Sequence, residues 1–473
     1  MKYGLIFSAA LLVACGAEKE PSQRPPSISL SARDVQQLTE PQAVEEAMRN
    51  PRLRARALLA QSKYHEALAA FEEARQQNPQ SGEILMGLGR TRLALGETEE
   101  ARKLYEMAVA LEPDKPALQV GLGIFHLKFN RYDEAESAFL AALGMDSTYV
   151  AARRNLAAVY SKQGRLADSA REYERALELV PNDVNTRFNL GLVNVHLGQY
   201  ELAQSHLEKV VAENPEHARA LFALGEALLN AGDDVRARAY FERTLAADTT
   251  YAQAHVQIAR LDMRQDDLAA ASERLRRTIL IEPGIAESFR LLGQIYLRQG
   301  RQSAGEKSLQ AYEKVKSVEK DIELFQERVR SDPDDGEAHF NLGFIYGRLG
   351  FTGVALPHYI RAVSINPRNI QALNNMGNIY FRTGNLDQAA AAYEQILSTD
   401  AQHVPAMTLL AQVYLGQQRA DEAIPVLKRA ASLDGDWAPA HQGLAEAYKQ
   451  IGEVALSEEH RAKAYKLTEE NQQ

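Results

Sequence analysis

The residues best suited to chemistry are few, and their spacing does not favour a catalytic or metal site. The chain of 473 residues contains one cysteine, Cys15, so neither an intramolecular disulfide nor a site of several cysteines can form. Eleven histidines are scattered, and His126 and His196 stand at different positions of the repeating pattern described below. We therefore interpret the histidines as polar or groove-facing residues and expect no metal ion.

Motifs that hold phosphates or activate nucleophiles are also missing. The sequence has no GxxxxGK[ST], GxSxG or HExxH, and no GxGxxG that follows a strand. Acidic steps such as Glu99-Glu100, Asp133-Glu134 and Asp421-Glu422 stand where helices are predicted to begin, and the helix dipole favours carboxylates there. The sequence therefore predicts a protein without catalytic activity and without a cofactor.

Composition indicates a folded chain with no general affinity for nucleic acid. Hydrophobic residues make up 45% of the sequence and charged residues 25%, which is too apolar for general disorder. The formal net charge is -9, whereas nucleic-acid binding needs clustered lysines and arginines. A local basic cluster, Arg49, Arg52, Arg54 and Arg56, is interpreted as a solvated capping face in preference to a contact with anionic lipid.

The first residues have the layout of an export signal. Lys2 precedes an apolar stretch over residues 4–14, about half of what spans a bilayer, so residues 1–14 are predicted to be a signal peptide. The stretch ends in Leu12-Val13-Ala14-Cys15, which resembles a bacterial lipobox. That resemblance implies cleavage before Cys15 and its lipidation, with two or three acyl chains as a stable membrane anchor. A secretory signal that contains a cysteine by chance is the alternative.

A flexible spacer follows the cysteine. Residues 15–33 are rich in Pro, Ser and charge and have no apolar period, which is typical of a linker. Gly16 and Ala17 follow the cysteine without an Asp, and the resemblance to bacterial lipoproteins then implies the outer membrane, facing the periplasm. We expect residues 34–47 to add an N-terminal capping helix.

The rest of the chain repeats every 34 residues. Repeats begin at residues 48, 82, 116, 150, 184, 218, 252, 286, 336, 370, 404 and 438. In all twelve, the eighth position is Gly or Ala and the twentieth is Ala, Ser or Gly. Small residues twelve apart allow two paired helices to come into close contact. Gly occupies the fifteenth position in eight repeats, and Asn130 and Asp266 in two more, as expected of a turn that needs positive φ.

Stretches such as AARRNLAAVYSKQGRLADSAREYERALELVPND resemble tetratricopeptide repeats. The seventh and twenty-fourth positions are apolar except at Arg54 and Arg461, in the two terminal repeats, where one side of a stacked array faces water. The resemblance implies an all-α fold, a tetratricopeptide superhelical solenoid of about twelve helix-turn-helix repeats in two arms.

An insertion is predicted to separate the arms. Repeats 1–8 cover residues 48–314 and repeats 9–12 cover 336–473, with residues 315–335 between them. Val318, Ile322, Phe325 and Val329 recur at spacings of three and four, which predicts one amphipathic helix. We expect this helix to interrupt the regular stacking, as a rigid offset or a hinge.

The resemblance further implies that the first helices of the repeats line a concave groove. Predicted apolar residues of this groove are Met86, Val120, Phe188, Phe222 and Phe340. Predicted amides, which can both donate to and accept from a peptide backbone, are Asn155, Asn189, Asn341, Asn374, Asn375 and Asn378. The asparagines at the sixth position resemble the ladder of the O-linked N-acetylglucosamine transferase repeats, although Asn is also common there as repeat consensus. Tyrosines at the eleventh position are interpreted as packing residues and not as a stacking ladder.

These features favour a scaffold that is anchored to a membrane and binds protein or peptide segments in its groove. The expected setting is the assembly or secretion of an envelope machine, such as a pilus-like or export system. One alternative is a non-catalytic subunit of a glycan or polysaccharide synthesis or export complex. Another is a structural tether between the membrane and a second layer.

Overall fold

A computed structural model describes residues 50–470 of the chain. The predicted signal peptide, Cys15, the linker and the capping helix over residues 34–47 lie outside the described residues. Within 50–470 the structure contains 25 α-helices and no strand, which confirms the all-α prediction. None of these helices is both long and apolar enough to pass through a bilayer.

The helices follow one another in pairs, with one extra helix between repeats 8 and 9. In repeats 1–4 they are α1 (Pro51–Ala60), α2 (Tyr64–Gln77), α3 (Gly82–Ala94), α4 (Thr98–Leu111), α5 (Pro116–Lys128), α6 (Tyr132–Met145), α7 (Val150–Lys162) and α8 (Leu166–Leu179). In repeats 5–8 they are α9 (Val184–His196), α10 (Tyr200–Glu213), α11 (Ala218–Asn230), α12 (Asp234–Ala247), α13 (Ala252–Arg264), α14 (Leu268–Ile281), α15 (Ala286–Arg298) and α16 (Gln302–Lys316). The remainder are α17 (Glu319–Ser331), α18 (Gly336–Leu349), α19 (Thr352–Ile365), α20 (Ile370–Arg382), α21 (Leu386–Thr399), α22 (Val404–Gly416), α23 (Ala420–Leu433), α24 (Ala438–Gln450) and α25 (Val454–Glu470).

Small residues lie where the paired helices approach each other. Every residue at the eighth and the twentieth position of the twelve repeats is buried, as the spacing predicts. In repeat 4 the approach is close enough for Ser169 Oγ on α8 to donate a hydrogen bond of 2.8 Å to the carbonyl oxygen of Ala157 on α7. Ser457 makes the same bond to Ala445 in repeat 12. A small side chain of one helix therefore contacts the backbone of the other in these repeats.

The turn inside each pair uses one residue in the left-handed conformation. That residue is always the fifteenth of its repeat: Ser62, Gly96, Asn130, Gly164, Gly198, Gly232, Asp266, Gly300, Gly350, Gly384, Gln418 and Gly452. Ten of the twelve belong to residue types that tolerate positive φ, and the sequence predicts them. Ser62 and Gln418 adopt the same conformation although their side chains disfavour it. The shape of the hairpin, and not the residue type, imposes the turn at those two positions.

The chain forms two compact units that meet in sequence between Arg274 and Leu275, within α14. In the first unit the largest cluster of buried residues centres on Phe222, Leu224 and Phe241. In the second unit one cluster of buried residues includes Leu342 and Tyr359. The division into arms of eight and four repeats around residues 315–335 stays a prediction.

The insertion contains a helix, as its apolar stripe predicts, and that helix is α17. Ile322 is buried, and Val318, Phe325 and Val329 pack against the same core as α18. The contacts of α17 with α18 are extensive, whereas those with the preceding α16 are few. The extra helix therefore packs on repeat 9 in the way that the second helix of one repeat packs on the first helix of the next.

Candidate functional site

Four of the predicted groove residues belong to the core. Met86, Val120, Phe188 and Phe222 are all buried. They do not form the exposed apolar stripe that the sequence predicts, because the helical period fixes the side of the helix on which they lie but not how far neighbouring side chains cover them. Their role in binding a partner stays a prediction.

Contacts within the same repeat and to the following repeat explain this burial. The sulfur of Met86 fills the space beside Gly121, where an added Cβ would lie only 2.6 Å from it. The ring of Phe222 packs between Phe241 and Tyr251, at centroid distances of 5.4 and 4.9 Å. These side chains hold neighbouring repeats together and leave little surface for a partner.

The ring of Phe188 is covered in a related way. It lies 4.9 Å from the imidazole of His217, between ring centroids, and under the guanidinium of Arg219 at 5.1 Å. Both covering residues come from the following loop and helix, so a partner segment meets Arg219 before it can meet Phe188.

Most of the predicted asparagines are already engaged within the fold. Asn155 Nδ2 donates to the carbonyl oxygen of Ala151 at 2.8 Å, and Asn341 Nδ2 donates to that of Glu337 at 2.9 Å. Asn189 is half-buried and also has an intramolecular partner. In the bonds of Asn155 and Asn341 the side-chain amide donates to a backbone carbonyl of its own helix. These asparagines therefore do not present a continuous row of unbonded amides to a partner.

Asparagines of repeat 10 are engaged by tyrosines of second helices. The hydroxyl of Tyr393 donates to Asn378 Oδ1 at 2.8 Å, and Tyr359 lies within hydrogen-bonding reach of Asn375. Burial raises the pKa of both tyrosines to about 12, so both hydroxyls are protonated at neutral pH. Asn375 opposes the rise at Tyr359, as an amide that donates to the phenol oxygen does. The two contacts fix the orientation of the amides.

Four predicted residues do come together in the second unit. Phe340, Asn341, Asn374 and Asn375 line an open pocket on the first helices of repeats 9 and 10, α18 and α20, with a volume of about 370 Å³. Phe344 and Gln371 complete the lining. We refer to these six residues as the amide pocket.

Two aromatic rings and four side-chain amides line the amide pocket. The rings of Phe340 and Phe344 are stacked at 6.3 Å with an interplanar angle of 23°, and 42% of Phe344 is exposed. The side chain of Asn374 makes no hydrogen bond to any other described residue. No charged side chain is among the six. The pocket thus offers apolar surface beside unused amide donors and acceptors.

Sequence analysis missed Phe344 and Gln371. They occupy the ninth position of repeat 9 and the second position of repeat 10, both on the first helices that the repeat resemblance predicts to line the groove. Inspection of those two positions in every repeat would have found Phe344 as the large aromatic residue among them. The apolar residues predicted for the groove all stand at the fifth position of their repeats.

One titratable residue of the first helices in the first unit departs strongly from its ordinary behaviour. Glu226 on α11 is 8% exposed, and burial raises its pKa to about 8, with Arg260 opposing the rise. The side chain is therefore neutral in mildly acidic solution and becomes charged at the expense of stability as the pH rises.

Histidines form two close pairs in the second unit, although none of the candidates drawn from the sequence includes them. His339 and His358 approach within 3.1 Å between their Nδ1 atoms, and so do His441 and His460. Among residues 50–470 no group of three or more His, Cys, Asp or Glu side chains is arranged to hold a metal ion.

Paired helices that stack through small residues, with an open pocket on their first helices, define a helical-repeat solenoid. Three models described as tetratricopeptide repeat match the sequence, one at residues 58–122, 352–413 and 384–446, one at 188–252 and 256–317, and one at 147–212. Together these matches cover well over half of the chain. The chain belongs to the tetratricopeptide repeat family.

Solved structures with a similar fold include proteins of different sizes. YrrB, described as a tetratricopeptide protein with an unusual peptide-binding site, is 22% identical over 39% of this chain and 95% of its own, with a TM-score of 0.36. PilF of Pseudomonas aeruginosa is 20% identical over 44% and 94%, with a TM-score of 0.39. Yeast Tom70 is 13% identical over 87% and 96%, with a TM-score of 0.28. A comparison with curated proteins found no match.

Proposed function

We propose that this protein is a non-catalytic scaffold that captures an extended, uncharged segment of a partner protein in the amide pocket. The observation that carries the proposal is the exposed Phe344 beside Asn374, whose amide has no partner among the described residues. Exposed aromatic surface next to unsatisfied hydrogen-bonding groups is typical of binding sites.

The lining determines the chemistry of the segment. The stacked rings of Phe340 and Phe344 give an apolar surface for one aliphatic or aromatic side chain. The amides of Asn374 and Gln371 can each donate to a backbone carbonyl and accept from a backbone N–H. The six lining side chains carry no charge, so an uncharged segment loses the least hydration there. The guanidinium of Arg348 lies 5.7 Å from the centroid of the Phe344 ring, so it disfavours a basic side chain in the pocket.

The amide pocket can be tested by selection from a displayed library of random peptides on the purified chain. Selected peptides should be enriched in uncharged sequences with one large apolar residue. Phe344→Ala and Asn374→Ala should each weaken their binding by about 1–2 kcal/mol, or roughly 5- to 30-fold in Kd.

Ile360 provides the matched control for this selection. It is 45% exposed, almost as much as Phe344, but lies on the second helix of repeat 9, away from the pocket lining. Ile360→Ala should leave peptide binding unchanged. Selected peptides that are predominantly charged, or that bind Phe344→Ala and Ile360→Ala equally well, would remove the amide pocket as the binding site.

We further propose that the scaffold is held to the outer membrane by acyl chains on Cys15 and faces the periplasm, where it serves assembly or secretion of an envelope machine. The support for this setting is the apolar stretch that ends at Cys15 and the Pro- and Ser-rich spacer after it. Cys15→Ser should release the protein from the membrane fraction and abolish labelling by a fatty-acid analogue. Membrane association of Cys15→Ser at the wild-type level would contradict the anchor and leave the amide pocket untouched.

A further inference from the structure

Two pairs of histidines in the second unit share one geometry. In repeat 9, His339 on α18 faces His358 on α19, and in repeat 12, His441 on α24 faces His460 on α25. Each pair joins the fourth position of its repeat to the twenty-third and so links the two helices of one hairpin.

Backbone carbonyls fix the proton positions. Nε2 of His339 lies 3.2 Å from the carbonyl oxygen of Pro333, and Nε2 of His441 lies 3.2 Å from that of Gly435. Because a carbonyl can only accept, these Nε2 atoms carry the proton, and Nδ1 of the same neutral ring is an acceptor. The Nδ1–H of His358 or His460 therefore donates to it, an assignment that follows from the hydrogen-bond network.

The pairs hold a proton and not a metal ion. Their ring centroids are 5.4 and 5.3 Å apart, which is close to the largest separation that an Nδ1–Nδ1 distance of 3.1 Å allows. The two nitrogens of each pair therefore point at each other, whereas two ligands of one metal ion would point at a third position beside them. A tyrosine ring, Tyr346 or Tyr448, stacks on the second histidine of each pair.

Other repeats fill the same two positions without histidine. Repeat 10 has Leu373 and Ala392 there, both buried, and repeat 4 has an ion pair of 2.7 Å between Arg153 and Glu172. The hairpin therefore does not require two imidazoles at this place. What the imidazoles add is the ability to change charge in mildly acidic solution.

We propose that the two histidine pairs are acid-sensitive fastenings, which hold the hairpins of repeats 9 and 12 closed at neutral pH and loosen them as the pH falls. Nε2 of His358 and of His460 makes no hydrogen bond to another described residue, so a first added proton binds there and leaves the Nδ1–H···Nδ1 bond in place. A second proton must go to Nδ1 of the first histidine, which breaks the bond and places two cations 3.1 Å apart.

The surroundings of the repeat 9 pair oppose a positive charge. Burial, together with the facing His339, lowers the pKa of His358 to about 4. Arg361 reaches the Pro333 carbonyl oxygen at 3.4 Å and adds a further cation nearby, although it also pairs with Asp334.

Carboxylates near the repeat 9 pair are already satisfied. From α17, Arg328 binds Asp335 at 2.8 Å. Glu282 reaches the Tyr346 hydroxyl only through Gln326, whose Nε2 lies 3.0 Å from the carboxylate and 3.2 Å from the phenol. Neither acidic group is free to pair with an imidazolium.

The repeat 12 pair has a more mixed environment. Burial lowers the pKa of His441, with the Gly435 carbonyl opposing and Lys463 assisting. Burial also lowers the pKa of His460, assisted by His441, Lys463 and Lys428, while Glu459 opposes the shift. We therefore expect repeat 12 to loosen at a somewhat higher pH than repeat 9.

The direction of the pH effect follows from these shifts. The unfolded chain binds protons at its histidines near pH 6.5, whereas folded His358, His441 and His460 bind them only at lower pH. The stabilising contribution is therefore complete above about pH 6.5 and is lost as the pH falls toward the folded pKa values. Because His339 immediately precedes Phe340, loosening of repeat 9 would also open the amide pocket; that consequence alone rests on the proposed function.

Hydrogen exchange of the whole chain at about pH 7 and pH 5 tests the fastenings, after correction for the intrinsic rate. In the wild type, protection of α18, α19, α24 and α25 should fall at least tenfold relative to α20 and α21 of repeat 10. In the double variant His339→Leu with His358→Ala, which copies the residues of repeat 10, only α24 and α25 should lose protection. Equal losses in α18 and α19 of both proteins would overturn the proposal.

Histidine proton resonances give a second measurement that does not depend on the double variant being well folded. His358, His441 and His460 should titrate below pH 6.5, and ordinary titration of all three would also overturn the proposal. Neither measurement uses a peptide ligand. A failure of the proposed peptide binding would therefore not contradict the acid-sensitive histidine pairs. A failure of the histidine-pair proposal would not contradict peptide binding at neutral pH.

Discussion

The ring of Phe139 occupies the space that a side chain on Gly123 would need. A Cβ added to Gly123 would lie 2.6 Å from Cε1 of Phe139, closer than carbon atoms approach in proteins. The two residues stand at the eighth and twenty-fourth positions of repeat 3, on α5 and α6. The large residue of the second helix is thus accommodated by the absence of a side chain on the first.

Gly123→Ala should destabilise the protein by about 1–3 kcal/mol, because the new methyl group overpacks a buried contact. The control is Gly144→Ala in the same repeat, where nothing lies within 4 Å of an added Cβ. That change should be neutral or stabilise by about 0.5 kcal/mol, because alanine favours a helix more than glycine does. Urea unfolding followed by circular dichroism measures both, and equal effects of the two changes would contradict the packing explanation.

Gln418→Gly should stabilise the second unit by about 1 kcal/mol. Gln418 has a φ of 61°, in the left-handed region, and glycine adopts that conformation without a steric penalty. The neighbouring Gln417 has an ordinary φ of -85°, so Gln417→Gly should instead be destabilising. Thermal unfolding of the two variants should move the melting temperature in opposite directions. A lower melting temperature for Gln418→Gly would show that its side-chain contacts outweigh the backbone strain.

Glu226→Gln should stabilise the protein in alkaline but not in acidic solution. Burial raises the folded pKa of Glu226 to about 8, so the unfolded chain loses its proton first as the pH rises from about 4.5. Stability is complete below pH 4.5 and declines up to the folded pKa. The variant, which cannot ionise, should gain about 1–3 kcal/mol at pH 8 and almost nothing at pH 4.5. Denaturant unfolding at both pH values measures this, and a gain of equal size at both would exclude titration as its cause.

Arg153→Leu should destabilise repeat 4 by about 3 kcal/mol, because it leaves Glu172 buried with a weaker set of partners. The two side chains are 2.7 Å apart and only 15% and 9% exposed. Adding Glu172→Ala should restore part of the loss, since the pair then matches the apolar pair of repeat 10. A double-mutant cycle in urea gives the coupling energy. A double variant less stable than Arg153→Leu would show that the site needs a carboxylate for another contact, such as the 2.6 Å bond from Arg175.

The backbone of this protein could be predicted from its sequence in detail, because the repeat determines it locally. Gly or Ala at the eighth position and a small residue at the twentieth are sufficient to predict two helices in contact, and all of these residues are buried. The turns at Ser62 and Gln418 could not be predicted from residue type. Their conformation follows from the hairpins on either side.

The candidate site was predictable only in part. The position of Phe188 within its repeat shows that it faces the groove side of α9, but not that His217 at the end of the same repeat and Arg219 of the next repeat cover it. Phe340 has the same position in repeat 9 and remains partly open. Exposure depends on the side chains of a neighbouring repeat, whereas periodicity describes one helix at a time. The histidine pairs could not be predicted for the same reason, since the two members of each pair are nineteen residues apart on different helices.

Most contacts within each unit join a helix to the next one or two along the chain. In a chain built in this way, each repeat is stabilised mainly by its contacts with the repeats next to it. When such a chain is pulled at its two ends, hairpins should unfold one at a time, at a force set by the least stable repeat. They should fold again when the force is released.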